Sequence, residues 1–422
     1  MAITRKFQFS RSRGMQTIQR HLDDLLRDHL IWNTSGQIAG RSTVVEKREC
    51  LNFGSCSYLG LHARPELIEG TVDAVRRFGT QFPFSRAYLS SDLYEELEVL
   101  LERMTGRHVL VASSTTLAHL SALPVLVDDD DAVIIDQFAH ASMFMATELL
   151  GTSAVVRARH SRLDKVSELI EKLSPDHKRI WFVLDGLYSM RGDFAPFDGL
   201  RELLDRYPQL HLYVDDAHST SWFGQNGRGA ALTHLPKDDR VVVALSLNKA
   251  FSAAGGALVV SNPELKRKLR ACGGTMSFSG PIQAPMLGAA VASAKLHLTP
   301  ELGRLQAEVL EKVRFARRLA SDLGVEVIAD DDTPIFMLPY DAAEDARAAT
   351  RAFWEAGFYV CPVTFPAVPI SNPGIRFTVC HTNEVDDIGA FLTTARRLQA
   401  PQKTRATRPS EAGKELPDLT SM

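Results

Sequence analysis

Cysteine is scarce in this chain, with five in 422 residues, at Cys50, Cys56, Cys272, Cys361 and Cys380. The count is odd and the spacing wide. No CxxC pair and no Cys/His spacing suited to zinc occurs, which excludes a disulfide framework and predicts reduced thiols in a cytosolic setting. No apolar run approaches the ~18–20 residues of a membrane span. Charge of one sign is also missing. The net charge of −3 gives no reason to expect nucleic acid or an anionic membrane as the main partner. The basic N-terminus "MAITRKFQFSRSRG" has no apolar core, so it does not read as a secretory signal; it reads as a short arm on a partner subunit or a frayed end. Internal repeats are absent. The acidic run Asp128–Asp131 reads as a solvated turn before a strand, since like charges alone make a poor metal site.

What is present is ordinary globular composition, 45% hydrophobic and 23% charged, in a chain long enough for two or three domains. Residues 15–30 have apolar positions at helical spacing, and "ECLNFGSCSYLGL" reads as a short strand entering a turn. From about residue 65 to 290, β-like runs alternate with helical patterns. The runs are "HVLVAS", "AVIID", "AVVRA", "IWFVLD", "LHLYVDD", "VVVALS" and "GALVVS". Amphipathic stretches such as "DLYEELEVLLERMTG" and "FDGLRELLDRY" lie between them. That alternation predicts a mostly parallel sheet covered on both faces. A long helix near 298–320 then leads into a smaller α+β unit with strands at "VEVIAD", "PIFMLPY", "FYVCPV" and "IRFTVC" and a last helix near 385–399. The expected division is an arm and short strand over 1–60, a large domain over 61–297, a small domain over 298–400 and a disordered tail over 401–422.

In open α/β sheets, ligands sit beyond the carboxyl ends of the strands. Here five strand ends carry polar groups. They are Ser113–Thr116, Asp136 with His140, Asp185 with Ser189, Asp215, Asp216 and His218, and Ser246 with Lys249. Each has an ordinary explanation when taken alone: a serine before a helix is an N-cap, and a lone histidine is commonly structural. Together they match what pyridoxal phosphate needs. Lys249 would be the covalent anchor and Asp215 the partner of the pyridine nitrogen. His140 would be the flat stacking group, and the Ser114–Thr116 turn would supply phosphate donors, with Ser246 adding a hydroxyl.

The segments "VDDAHS…FGQNGRG", "SLNKAFSAAGG" and "GLYSMRGDFAP" resemble signatures of the α-oxoamine synthase family. So do "LNFGSCSYLGL", "IDQFAHASM", "TPIFML" and "GIRFTVCHT", in the expected order over about residues 50 to 395. The resemblance implies a fold-type I, aminotransferase-like pyridoxal-phosphate enzyme and a homodimer with shared active sites. It implies condensation of an amino acid with an acyl thioester, on CoA or a carrier protein. Under it, Lys249 is the Schiff-base lysine and general base, Asp215 the pyridinium partner, His218 a hydrogen-bond partner of the phenolic oxygen and His140 the ring-stacking group. Ser114, Thr115, Thr116, Ser189 and Ser246 belong at the cofactor, with Ser279 reaching in from the other subunit. Arg376, Arg86, Ser57 and Tyr58 belong at the substrate, with Arg376 taking the amino-acid carboxylate in the bidentate way that lysine cannot. No metal is implied.

The chain departs from the family pattern at several points. Thr115–Thr116 replaces a glycine and an aromatic, and "GTQFPFSR" replaces a glycine-rich segment. Tyr94 stands where a histidine is usual, and Asp185 is the acid of the "GLYSM" segment. The stretch "GTQFPFSRAYLSSDLYEELE" is similar to synthases of long-chain α-aminoketone signals. Transamination or aldol cleavage on the same scaffold, and a non-catalytic interaction protein, are the competing readings. The intact set of Lys249, Asp215, His218, His140 and Arg376 argues against the last.

Overall fold

The computed structural model describes residues 13–399 except 36, 37, 39 and 237; the expected arm before residue 13 and the expected tail after 400 lie outside the described residues. Helix Arg13–Arg27 opens the described chain. A hairpin of β1 (Ser42–Val45) and β2 (Arg48–Asn52) follows.

All seven β-like runs of the middle region become one sheet. They are β3 (His108–Ala112), β4 (Ala132–Asp136), β5 (Val155–Ala158), β6 (Ile180–Asp185), β7 (Leu210–Asp215), β8 (Val241–Ser246) and β9 (Gly256–Val260). Their order is β3-β9-β8-β7-β6-β4-β5, and only β9 runs against its neighbours. β4, β6 and β8 are buried at every position and β7 at all but His211, as strands covered on both faces must be. One face packs on helices such as Asp92–Thr105 and Phe197–Arg206, the other on Thr115–Leu126 and Ala141–Thr147. The carboxyl ends of β3, β4, β6, β7 and β8 therefore open on one edge.

Helix Pro300–Leu323 leads to the small domain, with β10 (Ile335–Pro339), β11 (Phe358–Tyr359), β12 (Cys361–Val363), β13 (Gly374–Thr378) and the final helix Val385–Leu398. Three sequence expectations change. The N-terminal strand is no separate arm: β2 pairs with β11, and Phe53, Tyr58 and Leu61 share a core with Phe377 and Phe391. "VEVIAD" forms no strand. Its carbonyl at Ala329 is taken by the Arg317 guanidinium at 2.5 Å, and its one backbone bond to a strand is Ile328 N–H to Met337 at 3.0 Å, since Val325 N–H turns back to Ala320 at 2.8 Å. Asp131 is not solvated: it is fully buried and accepts from Arg179 Nη2 at 2.7 Å and Trp181 Nε1 at 3.3 Å, because an acid at a strand entrance can anchor the next strand's arginine.

Candidate active site

Asp215 ends β7 directly opposite Asp185 of β6. Both carboxyls are buried, and they are treated differently. Burial alone would raise Asp215, but His119 and Lys249 outweigh it and hold the group below the usual carboxylate range. His119 Nε2 lies 2.9 Å from Asp215 Oδ2, and the Ala217 N–H donates to Oδ1 at 3.0 Å. Asp185 has no such cation in contact. Burial and then the Asp215 charge push it well above its ordinary value, and it accepts the His140 backbone N–H at 2.9 Å. His140 caps helix Ala141–Thr147, with Nδ1 2.6 Å from Ser142 Oγ, and burial lowers its pKa, so its ring is neutral at pH 7. Asp216 turns elsewhere, accepting from Ser219 Oγ and from the Ala231 N–H at 2.9 Å.

Lys249 follows β8 in a tight loop closed by Asn248, whose Oδ1 accepts the Gly255 N–H at 2.6 Å. The residue is half-buried and shares a cavity of about 360 Å³ with Ser57, His62, Asn248 and Ser252. Ser57 Oγ lies 2.9 Å from His62 Nδ1 and 3.2 Å from Ser252 Oγ. The next residue, Tyr58, is buried, and its hydroxyl is 2.8 Å from His218 Nδ1. Burial, then the Lys249 and Arg376 charges, lower His218 well below its usual value, so it is neutral and the tyrosine O–H can donate to it. The strand-turn segment that carries Ser57 and Tyr58 is tied to the small domain through Thr378 N–H to Phe53 O and His381 N–H to Tyr58 O, both at 2.7 Å.

At the end of β3, Ser114 caps helix Thr115–Leu126 by accepting the Leu117 N–H at 3.1 Å. Thr115 Oγ1 donates to the Leu245 carbonyl at 3.2 Å, and the N–H groups of Thr115 and Thr116 stand in the helix's first turn, where no intrahelical carbonyl serves them. Ser246 is buried at the end of β8, and its Oγ accepts the Asn248 N–H at 3.3 Å. The glycines after Lys249 have a backbone reason: a Cβ on Gly256 would lie 2.5 Å from Thr115 N. The loop holding Ser279 runs past this turn within the same chain, where Ser113 Oγ donates to the Gly280 carbonyl at 2.6 Å.

Arg376 sits on β13 between β10 and β12. Its Nη1 donates to the Ser189 carbonyl at 3.3 Å and its Nη2 faces Cys56 Sγ at 3.8 Å, while Nε is out of water and without a partner. Arg86 does not join these groups. It lies 3.6 Å over the Tyr94 ring, donates to the Val111 carbonyl at 2.8 Å and pairs with buried Glu98, which also holds Arg270 and Lys266. In this chain Arg86 therefore stands in an ion-pair cluster apart from Lys249 and Asp215. His119 and His62 were missed. The signal for His119 is its place one turn after Thr115, which aims it back at the sheet; His62 offers none beyond following Leu61 in "YLGLH".

The model of the aminotransferase class I and II family matches residues 48–390. The fold and the site thus define a fold-type I transferase. Among curated proteins, the chain is 31% identical over 381 residues to 8-amino-7-oxononanoate synthase of Geobacter sulfurreducens, covering 88% of this chain and 95% of that one. It is 28% identical over 351 residues to serine palmitoyltransferase of Sphingobacterium spiritivorum, covering 82% and 85%. Among solved structures, it is similar to Sphingomonas wittichii serine palmitoyltransferase, with a TM-score of 0.84 at 22% identity over 92% of this chain and 97% of that one. It is also similar to 8-amino-7-oxononanoate synthase from Francisella tularensis, with a TM-score of 0.71 at 20% identity over 82% and 97%. The chain belongs to the α-oxoamine synthase family, within the aminotransferase class I and II proteins.

That family works with pyridoxal 5'-phosphate, and the residues here fit it. A lysine, an ionised buried carboxylate and a neutral imidazole converge, and a helix start with free N–H groups faces the same edge. The unpartnered Arg376 Nε adds an anion site beside them. Among the described residues no cluster suits a metal ion, and no helix is long and apolar enough to cross a membrane.

Proposed function

We propose that this protein condenses an amino acid with an acyl thioester, releasing CO2 and free thiol and leaving an α-aminoketone. Arg376 carries the reading. A buried guanidinium nitrogen without a partner, on the strand facing Ser189 and Cys56, suits the amino acid's carboxylate. Bound pyridoxal phosphate supplies an electron sink at the α-carbon. Lys249 anchors the cofactor and then takes the α-proton on its amine. Asp215, kept ionised by His119, holds the proton on the pyridine nitrogen. His218, its Nδ1 engaged by the Tyr58 hydroxyl, presents Nε2 to the cofactor's phenolic oxygen. His140 lies across the ring, and its neutral imidazole can polarise the thioester carbonyl.

Beyond His140 opens a cavity of about 440 Å³ walled by Phe138, Phe144, Met337, Phe365 and Val368, which suits an apolar acyl chain. The protein acts as a homodimer in this reading, as fold-type I sites are completed across subunits. The test is incubation with an amino acid and an acyl-CoA, with CO2 and thiol both measured. Release of both in equal amount is the expected result. Keto-acid formation without thiol release would assign transamination instead.

A further inference from the structure

Two of the five cysteines, scattered in sequence, flank Arg376, and a third lies near them. Cys56 Sγ lies 3.8 Å from Arg376 Nη2, and Cys361 is directly opposite Arg376 on β12. Cys380 Sγ, two residues past the end of β13, lies 3.5 Å from the Ser55 carbonyl. The three differ in what the sulfur faces: the Cys361 and Cys380 thiols face the Gly54 and Ser55 carbonyls, at 3.9 and 3.5 Å, whereas Cys56 Sγ faces a cation. Burial raises the Cys361 thiol and pushes Cys380 up to about 12, so both are inert at neutral pH. Cys56, half-buried like Cys361, lies on the segment that also carries Ser57 and Tyr58 into the site. Of the remaining two, Cys50 is buried with its Sγ 3.8 Å from the Trp354 carbonyl, and Cys272 is exposed at the end of helix Pro263–Cys272.

We propose that Cys56 is an oxidation site through which hydroperoxides control amino-acid binding at Arg376. The inference rests on the reading of Arg376 as the carboxylate site. In the step, the Cys56 sulfur attacks hydrogen peroxide. The O–O bond breaks, an S–O bond forms, and hydroxide leaves with the thiol proton as water. The sulfur is oxidised by two electrons to a sulfenic acid and the peroxide is reduced. The new oxygen stands within reach of the guanidinium. As a sulfenate it is an anion that pairs with Arg376, whose charge burial without a carboxylate leaves uncompensated. It competes with the substrate for the same cation. A dithiol reductant removes the oxygen as water and restores the site.

The experiment uses the full-length holoenzyme treated with hydrogen peroxide. Amino-acid binding is read from the change in cofactor absorbance, and the oxidised residue from peptide mass. Treatment should oxidise Cys56 and weaken amino-acid binding by about tenfold or more, reversibly by dithiol. The Cys56→Ser variant, compared with its own untreated sample, should not respond to peroxide. In apoprotein, the amino acid alone should slow Cys56 oxidation, a readout that needs no turnover. A Cys56→Ser variant as peroxide-sensitive as the parent overturns the inference, and so does full oxidation of Cys56 with binding unmoved. A holoenzyme that binds no amino acid before treatment sinks the carboxylate reading of Arg376 and the inference with it. Binding that peroxide leaves intact sinks the inference alone.

Discussion

His119 Nε2 lies 2.9 Å from Asp215 Oδ2, while its Nδ1 lies 2.8 Å from the Tyr213 hydroxyl. The imidazole is fully buried between the first turns of helix Thr115–Leu126 and β7. With Lys249 it keeps the buried Asp215 carboxylate ionised, and it is the larger contributor of the two. In His119→Ala, Asp215 keeps one backbone donor and burial prevails, so its pKa rises. Each unit of rise is worth about 1.4 kcal/mol, or tenfold, to the ionised fraction. The variant should lose about tenfold or more in kcat at neutral pH and gain an acidic limb, with activity recovering as pH increases. A pH–rate profile identical to the parent's would show that His119 does not hold that charge.

Arg376→Lys keeps the positive charge but not the planar fork. A charged hydrogen bond to the carboxylate is worth about 1.5–3 kcal/mol, so KM for the amino acid should rise by about 10- to 100-fold. Cofactor absorbance should be unchanged, because the Lys249 and Asp215 side chains are untouched. Steady-state kinetics with a spectral titration separates the two. Loss of cofactor instead of substrate affinity would place Arg376 in the cofactor site.

Much of this was legible in the sequence. The seven strands of the large sheet are short, largely apolar runs between amphipathic stretches, as a mostly parallel sheet covered on both faces requires. The strand-end rule then put Asp215, Asp185, His140 and Lys249 on one edge. What failed depended on distant partners. Asp131 looks solvated until Arg179, nearly fifty residues on, reaches back. "VEVIAD" has strand periodicity, but a side chain took its carbonyl. The convergence of Cys56, Cys361 and Cys380 required the N-terminal segment to join the small domain, which no local pattern encodes.

Gly256 tests the phosphate turn without removing a polar side chain. Its Cβ in Gly256→Ala would sit 2.5 Å from Thr115 N and 2.7 Å from the Ser114 carbonyl carbon, both backbone atoms that cannot rotate away. The strand or the turn must move, at a cost of about 1–3 kcal/mol. We expect the displaced N–H groups of Thr115 and Thr116 to weaken cofactor affinity, measured by titrating apoprotein with pyridoxal phosphate. A lower Tm with cofactor affinity preserved would mean that the turn is not the phosphate site.

His160 gives a pH dependence independent of catalysis. It is clamped between Asp136, 3.3 Å from Nδ1, and Asp193, 2.8 Å from Nε2, with Tyr188 edge-on to its ring at 4.3 Å. Burial alone would lower it, but the hydrogen bonds to Asp136 and then Asp193 outweigh that and raise it to about 9. A histidine raised above its unfolded value of about 6.5 stabilises the fold fully below that pH and loses the contribution as pH climbs through about 9. The step should be on the order of 3 kcal/mol, seen as a falling Tm between about pH 7 and 10. In His160→Gln, Tm should be lower at pH 6 and nearly flat over that interval. An equally steep Tm decline in the variant would assign the step to another group.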